Sequence, residues 1–199
     1  MKALRAQMNP HFIFNSLNSI QECIVTKNTD AAYSYLSQFS KLVRRILENS
    51  GKETVPLKEE QELMQWYITL EQLRFTDEFK FSIKNNCSNS MVEIPSMLIQ
   101  PFVENALWHG LISKKGEKNL DLIFDDDKQA IVIQIIDNGI GREAASAAVN
   151  STGHQSLGME ITKERLQNYS HASSIEIIDL YNEEAIPCGT KVIIHLPFN

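Results

Sequence analysis

Two amphipathic helical segments fill the first 50 residues, and neither carries enough apolar surface to fold alone. In the first, Ile13, Leu17, Ile20 and Ile24 recur at spacings of four, three and four residues, a single helical stripe. A polar break at Thr26-Lys-Asn-Thr-Asp30 follows. Ala32, Leu36, Phe39, Val43 and Ile46 then repeat at close to heptad spacing, with Tyr35, Leu42 and Leu47 beside them. Gly51 is a natural stop. Two helices of about 20 residues cannot enclose a core between themselves, but two such hairpins bury both stripes by pairing into a four-helix bundle. The pattern predicts an N-terminal helical hairpin and a homodimer.

The other face of the first helix is polar: Gln7, His11, Asn15, Asn18 and Glu22 share it by the same period. Asn9-Pro10 is suited to a helix start, with Asn as cap and Pro in the first turn; the alternative is a helix from Leu4 kinked there. In the first case His11 lies near positive helix-end dipoles, which favour a neutral imidazole with a free lone pair. A surface histidine with no task fits this segment equally well.

A net charge of −6 with no basic run argues against direct contact with nucleic acid. Cys23, Cys87 and Cys188 are widely spaced and form no Cys-x-x-Cys pair, which points to a reducing compartment and away from zinc or disulfides. No apolar run approaches the roughly 20 residues that cross a bilayer. Met1-Lys-Ala-Leu-Arg-Ala-Gln7 reads as the middle of a helix without a cap, as expected for a fragment whose upstream sensor or transmembrane part is missing.

After Gly51 the pattern becomes mixed. A helix is predicted over Leu57–Phe75, a strand of period two over Phe79–Lys84, and a helix from Pro95 through Trp108, ended by Gly110. Strands at Leu120–Phe124 and Ile131–Ile136 follow, then a helix over Met159–Tyr169 and strands at Ile175–Asp179 and Lys191–Leu196. Helices segregated from a mostly antiparallel sheet make this an α+β chain: a helical hairpin over 1–50 and a two-layer sandwich over 52–199.

Three stretches of the second part carry chemistry. Asp137-Asn-Gly-Ile-Gly141 follows a nearly all-apolar strand, and a carboxylate there is costly to bury unless something donates to it. An adenine amino group would do so, and glycines allow close approach; an ordinary Asp-Asn-Gly turn reads the same way. In Gln100–Gly110, Glu104, Asn105 and His109 fall within six residues, with Asn105 and His109 on one helix face. An amide oxygen suits Mg²⁺ and an imidazole can reach phosphate oxygens, although satisfied polar residues near a helix end would look alike. Gly139–Gly158 is a long loop of the kind that forms lids, and its end runs into a helix whose N–H groups could hold phosphate.

Five segments in this order, "QMNPHFIFNSLNSI", "IPSMLIQPFVENALWHG", "IIDNGIG", "SLGMEITKERL" and "GTKVIIHLPF", resemble LytS-like sensor histidine kinases over essentially the whole chain. The resemblance implies the Bergerat ATP-binding fold of the GHKL class, shared with gyrase, Hsp90 and MutL, for 52–199. It implies His11 as phosphoacceptor, Asn105 as Mg²⁺ ligand, and Glu104 and His109 beside the phosphates. Asp137 would take the adenine amino group, Gly139 and Gly141 would shape the pocket, and Gly158 would end the lid. The implied reaction moves the γ-phosphoryl group of ATP to a ring nitrogen of His11, then to an aspartate of a response regulator, in this family often one with a LytTR domain. A location on the cytoplasmic side of an inner-membrane sensor follows. Phe12 stands where many histidine kinases carry an acidic residue able to take the proton, leaving Gln7 and Asn15 as nearest polar neighbours. Ser156 and Ile161 replace a glycine and an asparagine of the usual lid end. The alternative function is a dimeric scaffold that binds ATP without phosphorylating itself. His154, His171 and His195 read as structural or surface residues.

Overall fold

The computed structural model describes residues 10–73, 75, 79–127, 129–144 and 155–198, with the backbone alone for 10, 11 and 155–160. Helix α1 (Pro10–Val25) and helix α2 (Thr29–Asn49) form the expected hairpin. The Asn28 side chain caps α2 by accepting the Ala31 N–H at 3.2 Å, and Asp30 complements the helix dipole in its first turn.

The face that this hairpin buries differs from the predicted stripe. On α1 the buried residues are Phe12, Ser16 and Ile20, with Ile13 partly buried, while Leu17 and Ile24 are 48% and 62% exposed. On α2, Ala32, Tyr35, Leu42 and Ile46 are buried and Phe39 and Val43 partly so, whereas Leu36 and Leu47 stand out in solvent. A third helix, α3 (Leu57–Gln72), packs on α2 and supplies a wall that the hairpin lacks. Tyr35 donates through its hydroxyl to the Leu70 carbonyl of α3 at 3.4 Å, and Arg45 pairs with Glu59 at 2.8 Å while stacking over Trp66. Of the stripes on which the dimer expectation rests, Leu17, Ile24, Leu36 and Leu47 stay exposed, and Phe14 and Val25 are exposed beside them.

The remainder is the two-layer α+β sandwich. Five strands lie in the order β2 (Phe79–Asn85), β4 (Lys118–Asp126), β5 (Ala130–Asp137), β7 (Pro187–Pro197), β6 (Ser174–Tyr181). All neighbours are antiparallel except β2 and β4, which run parallel. A small antiparallel ladder joins β1 (Thr54–Pro56) to β3 (Glu93–Pro95). The parallel pair needs a crossover. It consists of β3, helix α4 (Gln100–Asn105) and a π-helical turn, Ala106–Leu111. Strict alternation puts Leu120, Leu122, Phe124, Ile131, Ile133, Ile135, Ile194 and Leu196 on one face, in a single core with Leu63, Met64 and Tyr67 of α3. Helix α5 (Gln155–Tyr169) packs on β3 and α4.

The helix predicted from Pro95 begins five residues later, because Pro95 ends β3 and Met97 takes φ +54°, outside the helical region. None of the described helices is long and apolar enough to cross a membrane.

Candidate functional site

Strand β5 delivers its last residue, Asp137, to a nearly closed position, 4% exposed. Its Oδ1 accepts the Gly139 N–H at 2.8 Å, and the Thr190 amide of β7 also donates to the carboxylate. Burial dominates nonetheless and pushes the carboxyl up to about 6, against those hydrogen bonds and the Lys114 charge. So the Asp-Asn-Gly stretch is a turn, and its carboxylate is also turned inward. The turn is pinned by Asn138, whose Oδ1 accepts the Asn119 N–H at 2.8 Å and whose Nδ2 donates to the Glu117 carbonyl at 3.1 Å. The Lys114 ammonium donates to the Asn138 carbonyl.

Backbone reaches this carboxylate closely because side chains are missing around it. A Cβ on Gly110 would stand 2.8 Å from Asp137 Oδ1, and one on Gly139 would stand 2.4 Å from the Gly110 carbonyl carbon. The Ile140 N–H donates to the Gly110 carbonyl at 3.1 Å, fastening the two segments together. Gly189 of β7 abuts the Asp137 carbonyl in the same way, and Gly141 packs against Pro187.

Gly110 is brought there by the wider π turn, in which the Ile112 N–H reaches back five residues to the Leu107 carbonyl at 3.0 Å. Such turns recur at functional sites. Of the other predicted residues, Glu104 and Asn105 stand just before it and His109 within it. Gln100 Nε2 donates to Glu104 Oε1 at 2.8 Å, yet burial raises the Glu104 carboxyl pKa more than that bond lowers it. Asn105 is half-buried at the end of α4. His109, next to Gly110, is half-buried and its pKa is lowered by desolvation, which keeps the imidazole neutral at neutral pH. A buried carboxylate can accept a hydrogen bond from an exocyclic amine, and the Asn105 amide of α4 and the His109 imidazole of the π turn are donors and acceptors of the type that hold metal-bound phosphates.

The remaining predicted residues lie elsewhere. His11 is the second residue of α1. Asn15, one turn on, is half-buried and its carbonyl accepts Ser19 Oγ at 3.2 Å. Between them Phe12 is turned inward, its ring 5.1 Å from Tyr67 and 6.2 Å from Phe39. Gly158 falls inside α5, so that helix starts before the predicted lid end. Most of that lid, 145–154, lies outside the described residues. Its first residues are anchored by Arg142, which donates to both Asp179 oxygens of β6 at 2.7 and 2.6 Å. A cleft of about 770 Å³ opens at another place, between Lys52, Glu93, Arg165 and Tyr169. Sequence reasoning missed Gly189, Lys114 and the close-approach role of Gly110; only the glycines left a local sign, each sitting at the edge of an apolar run.

Residues 1–79 match the His_kinase family model, histidine kinase. The sensor protein LytS of Staphylococcus haemolyticus is 31% identical over 204 residues, covering 99% of this chain and 34% of that protein. The LytS protein of Bacillus subtilis is 32% identical over 141 residues, covering 71% of this chain and 24% of that one. The chain thus spans about a third or less of the length of these curated relatives. Among solved structures, the mycobacterial sensor histidine kinase MprB aligns with a TM-score of 0.52 at 14% identity, covering 72% of this chain and 97% of that one. The histidine kinase domain of the Erythrobacter litoralis EL346 blue-light activated kinase gives 0.50 at 14% identity, with 95% and 96% covered. These likenesses show the fold alone: an α+β sandwich behind N-terminal helices, as in these histidine kinases. The chain is similar to LytS proteins along its length, and its residues 1–79 match the histidine kinase family.

Proposed function

We propose that the chain is a protein-histidine kinase core, with 1–50 as dimerising and phosphoacceptor helices and 52–199 as the ATP-binding half. The observation that carries this reading is the desolvated Asp137 carboxylate, walled by Gly110 and Gly139 where α4, bearing Asn105, runs into the π turn bearing His109. In it, Asp137 would accept the adenine amino group, and Gly139 and Gly141 shape the pocket by letting Gly110 and Pro187 approach closely. Asn105 would hold Mg²⁺, which when bound would supply charge neutralisation on the transferring phosphoryl group. Glu104 and His109 face the phosphates, and Gly158 lies where α5 receives the end of the lid.

His11 would attack through a ring nitrogen of the neutral imidazole, the form that carries a free lone pair. Asn15 lies one turn away and would orient the ring, being too weak a base to deprotonate it. The product then passes its phosphoryl group to an aspartate of a response regulator, of LytTR type or another. The reaction belongs on the cytoplasmic side of the membrane, where ATP is supplied.

One observation favours the scaffold reading: Phe12 occupies the place of an acidic neighbour and is committed to packing. Incorporation of label from γ-labelled ATP with Mg²⁺, wild type against His11→Ala, separates the two. Acid-labile, base-stable label that vanishes in the variant is expected of the kinase. Nucleotide binding without label would overturn the kinase reading in favour of the scaffold.

A further inference from the structure

The turn that launches α4 is gripped from three directions, and the grip has a charged centre. Glu60, in the first turn of α3, is fully buried, and its carboxylate accepts the N–H groups of Met97 at 3.2 Å and Ile99 at 3.3 Å. Ser96 is tied to the stretch after α2, donating its N–H to the Glu53 carbonyl at 3.0 Å and its hydroxyl to the Lys52 carbonyl at 2.8 Å. Its own carbonyl accepts Arg165 Nη1 of α5 at 2.5 Å. Between these anchors Met97 is held at φ +54°, a conformation that persists in a non-glycine residue only where the surroundings impose it.

An apolar residue would join α3 to this turn more cheaply than a buried carboxylate does. What a carboxylate adds is direction, because it fixes individual backbone N–H groups. We propose that Glu60 is a positioning residue for the nucleotide site: its carboxylate sets the path of Met97–Ile99 and so the start and register of α4, on which Glu104 and Asn105 stand. The link to nucleotide rests on the function proposed above; the grip on the turn does not.

The device has a pH signature. Burial raises the Glu60 carboxyl to about 7, opposed by the N–H groups of Ile99, Met97 and Leu98 and by Arg165. Among the described residues Arg165 is the charged group acting on it, from α5; the α4 turn offers backbone amides only. Above about pH 7 the carboxylate holds the turn; below it the protonated Glu60 stays buried but loses part of its hold on these N–H groups. The turn thus loosens locally even as burial of the neutral carboxyl favours the folded chain as a whole.

Amide hydrogen exchange of the 199-residue chain, corrected for intrinsic rates and read at pH 6 and pH 8, tests the grip. In the wild type the segment 97–105 should be better protected at pH 8, while β4, β5 and β7 show no such change. Glu60→Gln should exchange about tenfold faster there at pH 8, near the effect of one lost hydrogen bond to a charged group, and should lose the pH dependence. Mg-ATP affinity of that variant should fall about tenfold, with circular dichroism unchanged.

Wild-type protection that is flat with pH needs no variant to measure and would overturn the grip. So would a Glu60→Gln profile that follows the wild type. Loosened 97–105 with undiminished Mg-ATP affinity would overturn the positioning role. Should Glu60→Gln fail to fold, Arg165→Gln takes its place: loss of the cation should move the protection midpoint to higher pH, and an unmoved midpoint counts against the proposal. A wild type that binds no nucleotide would instead refute the proposed function, and the exchange data would still decide the grip.

Discussion

Phe12 of α1 lies against Tyr67 of α3, ring centroids 5.1 Å apart and planes tilted by 38°. The residue next to His11 is thus a core residue of the packed chain, and α1 is tied to the sandwich through an aromatic contact.

That contact should be costly to remove. Phe12→Ala is expected to lower stability by about 3 kcal/mol, the range for truncating a buried aromatic. Urea unfolding followed by circular dichroism measures it; a loss below about 1 kcal/mol would mean that the hairpin does not dock on α3 in solution.

Asp137→Asn should weaken ATP binding by about 1–3 kcal/mol, the scale of a lost hydrogen bond to a charged group. Calorimetric titration with ATP and with GTP reads it directly. Undiminished affinity would remove Asp137 from the base-binding role.

Gly110→Ala places a methyl group against Asp137, 2.8 Å from its Oδ1. The π turn or the carboxylate must then shift, at about 1–3 kcal/mol of stability for an overpacked site. Nucleotide affinity should fall with it, measured by thermal shift with and without Mg-ATP.

Acidity should stabilise the free protein across a defined window. Glu60 and Asp137 have folded values near 7 and 6, raised from 4.5 and 3.8 by burial. A carboxyl raised on folding contributes stability that is complete below its unfolded pKa and is lost as pH rises through the folded value. Each shift is worth about 3 kcal/mol, so the melting temperature should climb as pH falls from 8 to 5. His109, lowered by desolvation, works in the opposite sense below its ordinary range and trims the gain. Melting curves at fixed ionic strength check the direction, and a falling melting temperature would contradict these burial effects.

Much of the sheet was legible because β4, β5 and β7 alternate so regularly that each strand announces its face. The hairpin was legible as two helices but not in its facing. Leu17 and Ile24 satisfy the helical period as well as Phe12 and Ile20 do, and the choice between them is made by α3, which periodicity within α1 cannot sense. Likewise Pro95 looks like a helix start until Glu60 and Glu53, far away in sequence, hold the next residues out of the helix. At the site, Asp137 and Gly139 were readable from their place after an apolar run. Gly110 looked like a plain helix stop, because the π turn that presses it on Asp137 exists only once β5 is in position.

The parallel pair of β2 with β4, the one such pair among the described residues, has a consequence for how the molecule is made. Parallel neighbours are joined through a long excursion, and here that excursion carries α4 and the π turn. Closing a loop of that span is among the slower events of folding. The chain therefore builds its candidate site as part of completing its sheet, and lesions in the 95–111 crossover should surface as delayed or aborted folding before they surface as altered chemistry.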